Sequence, residues 1–94
     1  MTGSQKTKED QGIKKLIIKT AKEFDIDCKD SDALLVLTKG NKKLEMFYNR
    51  CEFDENDNRI YQGLCSKNGG NKERYYNLRV CIVDFFGIGG DLVG

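Results

Sequence analysis

The hydrophobic period of this chain changes once along its length, and that change limits the folds open to it. Across residues 10–24, Ile13, Leu16, Ile17, Thr20, Ala21 and Phe24 recur three and four positions apart, the pattern of one buried helical stripe. Lys14, Lys15, Lys19, Lys22 and Glu23 lie largely off that stripe and read as a solvated face. Asp10 is the expected N-cap, and Glu9 and Asp10 suit the positive end of a helix dipole. "DIDCKDSD" then breaks the pattern with side chains that compete for backbone hydrogen bonds.

Beyond that break the period is that of strands. "DALLVLTKG" is a short apolar run that fits a strand buried on both faces. "KKLEMFYNRCEF" alternates, with Leu44, Met46 and Tyr48 on one side, and then shifts phase to Cys51 and Phe53. A β-bulge near Asn49 and Arg50 would produce that shift. "RIYQGLC" is a third strand in which Gly63 either weakens pairing or admits a close neighbour. "RYYNLRVCIVDFF" reads as the fourth and longest strand, central in the sheet. The expected fold is therefore α+β, one N-terminal amphipathic helix packed on a four-stranded, largely antiparallel sheet. A polar tail at 1–9, one domain at 10–86 and a glycine-rich tail at 87–94 complete the division. The G-x-G in that last tail has neither the following helix nor the later acidic residue of a dinucleotide site.

The residues missing from the chain narrow its chemistry. With no His, it assembles no Ser-His-Asp triad, Cys-His pair or His general base. Zinc sites normally draw cysteine ligands from closely spaced pairs, which Cys28, Cys51, Cys65 and Cys81 do not form. No metal and no cofactor is expected. No apolar run reaches the roughly 18 residues of a membrane span. "MTGSQKTKED" has no hydrophobic h-region, so this form is expected to lack a signal peptide. "MTGS" reads equally as a native start or as a remnant of cloning before a mature domain.

An even number of cysteines in a chain of 94 residues suits a disulfide framework in an oxidising compartment. All four are disulfide candidates, and the spacing leaves all three connectivities open. The alternative is four reduced thiols packed as small apolar groups. The stretch "CEFDENDNRIYQGLC" holds two of them. Asp54, Asn56 and Asn58 imitate the opening of a calcium loop, but Arg59 stands where its glycine belongs and Cys65 where its closing glutamate belongs. An acidic hairpin tip is the simpler reading. A turn centred on Asn56 sets Cys51 opposite Tyr61, whereas one centred on Asn58 sets it opposite Cys65.

For function, "RYYNLR" stands out. Arg74, Tyr75 and Arg79, with Tyr48 and Arg50 from a nearby strand, are the types enriched at protein–protein hot spots. Tyr75 and Arg79 are expected on the exposed face, and Tyr76 is expected to support the core. The net charge of +1 gives no bulk attraction to nucleic acid, so that partner is the lesser expectation. The leading expectation is a small secreted, disulfide-stabilised, non-enzymatic binding protein, effector- or toxin-like, acting on a protein of another organism. The alternatives are an intracellular, cytoplasmic regulator or inhibitor of viral type with reduced cysteines, and a His-free ribonuclease-type toxin or RNA-binding module.

Overall fold

The structure, a computed structural model, describes residues 3–88, with side chains from residue 10 onward. Helix α1 spans Gly3–Glu23. Five strands follow, β1 Asp27–Ser31, β2 Leu34–Lys39, β3 Lys42–Phe47, β4 Gly63–Lys67 and β5 Lys72–Tyr75, and then helix α2, Leu78–Phe86. The strands form an antiparallel meander in the order β1-β2-β3-β4-β5. The architecture is α+β, as expected, with one strand and one helix more than the sequence reading supplied.

Helix α1 starts upstream of the expected position, so Asp10 lies inside it and does not cap it; its carboxylate pairs instead with Arg59. The buried stripe is Ile13, Ile17, Thr20 and Ala21. Leu16, expected beside Ile17 at the centre of that stripe, is 49% exposed. The helix closes on a left-handed Asp25, with the Ile26 amide donating to the Ala21 carbonyl at 2.8 Å and the Asp25 amide to Lys22 at 3.3 Å. This is a Schellman ending built without glycine. It returns the chain at once into β1, which is why the polar "DIDCKDSD" conceals a strand. That strand is an edge strand, and its charged residues suit an edge.

Strands β2 and β3 pair Leu35 with Met46 and Leu37 with Leu44, and all four side chains are fully buried against the helices. Strand β2 is not buried on both faces: its alternate residues Leu34, Val36 and Thr38 are only half-buried. Strand β3 ends at Phe47, so residues 48–62 form a loop rather than a bulged continuation. The tip of that loop is centred on Asn56, with Phe53 bridged to Arg59 and the Ile60 amide donating to the Glu52 carbonyl at 2.8 Å. Cys51 and Cys65 therefore do not face each other.

Gly63 takes the second of its two expected roles. A Cβ there would collide with the Phe47 carbonyl and the Tyr75 ring. Without it, Tyr75 lies across β4 and donates its hydroxyl to that carbonyl at 3.1 Å. In place of the expected long central strand, a short edge strand ends at Tyr75 and a helix follows it. Asn77 is the cause: its side-chain oxygen accepts the amides of Arg79 at 3.0 Å and Val80 at 3.1 Å. Leu78, Ile82 and Phe86, four apart, then bury one helical stripe, and a left-handed Gly87 ends it. Ile88 packs on the core, and residues 89–94 of the expected tail lie outside the described ones.

No disulfide joins any two of Cys28, Cys51, Cys65 and Cys81. Ile17 sits at the centre of the α1 stripe and Leu16 outside it, so the two should respond oppositely to truncation. Ile17→Ala should cost about 2–5 kcal/mol of unfolding free energy. Leu16→Ala should stay within about 0.5 kcal/mol, the usual range for a surface change. Urea denaturation of both variants measures the difference.

Candidate functional site

Both helices pack on one side of the sheet. The register then decides what the other side presents. Leu34 pairs with Phe47, Phe47 with Leu64 and Leu64 with Arg74, a straight row across β2, β3, β4 and β5. Beside it runs a second row, Val36, Glu45, Ser66 and Lys72, with Lys29 of β1 next to Val36. Successive strand residues point to opposite faces, so these rows oppose the face that carries Leu35, Leu37, Leu44 and Met46. None of Leu34, Val36, Phe47 or Leu64 belongs to the core cluster, and all four are half-buried. Among the described residues, no helix covers this face.

Its chemistry is apolar at the centre and basic around it. The Lys72 ammonium lies 4.9 Å from the centre of the Phe47 ring, and the Arg50 guanidinium 5.9 Å from it. The Arg74 guanidinium stands 4.9 Å over the Tyr61 ring and 3.4 Å from the Glu52 carboxylate. Tyr61 meets Tyr76 edge-on, and Tyr76 is 62% exposed, so the aromatic surface continues past the end of β5. Lys29 and Lys43 add positive charge, while Asp27, Glu45 and Glu52 oppose it. On this face the cations Lys29, Lys43, Arg50, Lys72 and Arg74 stand against the carboxylates Asp27, Glu45 and Glu52.

The residues singled out from the sequence divide. Arg50 and Arg74 sit at this face, on either side of the Phe47–Leu64 pair. Tyr75 and Tyr48 do not: both are buried, and the Tyr48 hydroxyl donates to the Asp32 carbonyl at 3.2 Å. Burial holds the Tyr75 hydroxyl well above the usual tyrosine range, as a neutral donor to Phe47. The expected facing of Tyr75 and Tyr76 is reversed, because the strand ends between them and Gly63 draws Tyr75 inward. Arg79 belongs to α2, where its guanidinium makes a two-pronged pair with Glu23 at 2.9 and 2.8 Å and covers Phe24. Phe47, Leu64, Lys72 and Tyr76 are the additions. Phe47 was legible as an aromatic on the polar phase of "KKLEMFY".

A second depression, of about 540 Å³, runs along α1 between Lys15, Leu16 and Lys19 on one side and Arg59 and Gln62 on the other. Its neighbour toward α2, about 320 Å³, is walled by Glu23 and Arg79, which neutralise each other. The first amides of α2 are taken by Asn77 and by the Gln62 side chain, at 2.8 Å from the Leu78 amide. The backbone amides of Leu78, Arg79 and Val80 at that end of the groove are therefore already bonded within the chain.

The tip at Asp54 is a closed turn. One carboxylate oxygen accepts the amides of Asn56 at 2.8 Å and Asn58 at 2.9 Å, and these bonds hold the Asp54 carboxyl below its ordinary range. Among the described residues no group of three or more His, Cys, Asp or Glu side chains is gathered for a metal, and no helix is long and apolar enough to cross a membrane. With a depressed native pKa, the Asp54 contribution is complete above the ordinary carboxylate range and is lost as pH falls through the native value. The protection of the Asn56 and Asn58 amides, taken relative to the intrinsic exchange rate at each pH, should therefore fall on acidification, and Asp54→Ala should give the same loss of protection at neutral pH. No family model, curated protein or solved structure matches the chain.

Proposed function

We propose that this chain is a non-enzymatic binding protein that docks a protein partner on the open face of its sheet. The row Leu34, Phe47 and Leu64, flanked by Arg50, Lys72 and Arg74, carries the reading. Apolar side chains at the centre supply area, and Arg at the rim supplies orientation and charge selection. The partner fitting this surface has an apolar centre and an acidic margin. Single-stranded nucleic acid fits less well: such sheet platforms stack successive bases on two or three aromatic rings. Here the centre of the face offers Phe47 among aliphatic neighbours.

The setting in which this occurs rests on the cysteines. Secretion and action on a protein of another organism accord with a disulfide framework. The intracellular regulator accords with cysteines not joined by disulfides, the state of all four in the structure. Thiol titration of unfolded protein from its native source separates the two, with no free thiols expected for the first and four for the second.

The binding surface itself is tested by selecting displayed random peptides against the wild-type protein. The selected peptides should combine apolar residues with Asp and Glu. Phe47→Ala, and separately Arg50→Glu with Lys72→Glu, should weaken the selected peptides about thirtyfold or more, since a hot-spot truncation costs about 2 kcal/mol or above. Lys15→Ala and Lys19→Ala, in the α1 groove, should leave affinity unchanged. Peptides lost on the α1 substitutions and retained on the sheet substitutions would place the site in the groove. Tight binding of oligouridylate with a steep salt dependence would favour the nucleic-acid reading instead.

A further inference from the structure

Cys65 and Cys81 are sixteen positions apart and come from different elements, yet their sulfurs touch. Cys65 lies on the inner face of β4 and is 1% exposed, while Cys81 is half-buried on α2. The Cys81 thiol donates to the Cys65 sulfur at 3.7 Å. The placement is built in: the Gln62 side chain, one residue before β4, holds the first amide of α2, and Asn77 caps the same helix. The bond from Cys81 and the charge of Lys67 lower the Cys65 thiol below its ordinary range, and that same bond, with burial, raises Cys81. The other two cysteines are held differently. Burial pushes the Cys28 thiol up, and the Cys51 sulfur accepts from the Arg59 guanidinium at 2.8 Å.

We propose that Cys65 and Cys81 are a reversible redox pair that closes to a single disulfide between β4 and α2, while Cys28 and Cys51 remain thiols. The oxidant is a small disulfide of the glutathione class. Cys81, the more accessible of the two, passes its proton along the existing bond to the Cys65 sulfur as it attacks one sulfur of oxidised glutathione and releases one glutathione thiolate, and Cys65 gives that proton up to water. The Cys65 thiolate then attacks the Cys81 sulfur and releases the second. Two electrons and two protons pass from the protein to the glutathione, and one protein S–S bond forms. Closing from contact to a bond of about 2.05 Å requires sulfur movement of less than about 2 Å. The closed bond ties the helix to the sheet and removes loop entropy from the unfolded chain.

Oxidised glutathione, followed by iodoacetamide and non-reducing tryptic digestion, tests this on the whole chain. Trypsin places the four cysteines in four separate peptides, so the linkage is read directly. The expected product is a monomer lighter by two hydrogens, with the Cys65 and Cys81 peptides joined, Cys28 and Cys51 alkylated, and full reversal by dithiothreitol. Its Tm should exceed that of the reduced form by at least about 4 °C. Cys28→Ser with Cys51→Ser should preserve the bond, and Cys81→Ser should abolish it. Four alkylated cysteines under the most oxidising glutathione buffer, a bond that includes Cys28 or Cys51, or a lasting glutathione adduct would overturn the assignment.

Discussion

The packing of Ile13, Ile17 and Ala21 of α1 against Leu35, Leu37, Leu44 and Met46 is the interaction on which the remaining structure depends. It fixes which face of the sheet is inside. Strand residues alternate, so a one-residue slip would exchange the two faces entirely. Once this face is chosen, Leu34, Val36, Phe47 and Leu64 must lie on the other side together. Helix α2 adds Leu78, Ile82 and Phe86 to the same inner face and leaves the outer one alone. The candidate site is thus a consequence of one-sided burial. No special local motif produces it.

Much of this was legible in the residues. The α1 stripe, the β2 and β3 strands and the turn at Asp54 follow from spacing and turn chemistry. Helix α2 was obscured because "RVCIVDFF" is rich in β-branched and aromatic residues, and composition there favours a strand. The contrary signals were Asn77 in an N-cap position and the four-residue spacing of Leu78, Ile82 and Phe86. Strand β1 was hidden for the opposite reason. An edge strand needs little hydrophobicity, and its aspartates resemble a loop until the Schellman ending of α1 is seen.

The site was legible only in part. Arg50 and Arg74 were found by residue type, which marks interaction chemistry wherever it lies. Assigning Tyr75 and Tyr76 to faces required knowing that Gly63 opens a slot for one of them and that the strand stops before the other. Arg79 has the same composition signal as Arg74, but its neighbour Glu23 comes from an element 56 residues away in sequence. Pairing across such distances carries no local sequence mark. The same holds for the contact of Cys65 with Cys81, since cysteine spacing alone leaves every connectivity equal.

The central claim is that one face of the sheet is core and the other is open to a partner. A soluble nitroxide added to the protein during NMR measures this residue by residue, because it relaxes protons that it can approach. The methyl protons of Leu34, Val36 and Leu64 and the ring protons of Phe47 should lose intensity strongly. Those of Leu35, Leu37, Leu44 and Met46, all 0% exposed, should be nearly unaffected. Equal protection of the two sets would mean that the outer face is covered, and it would contradict the account.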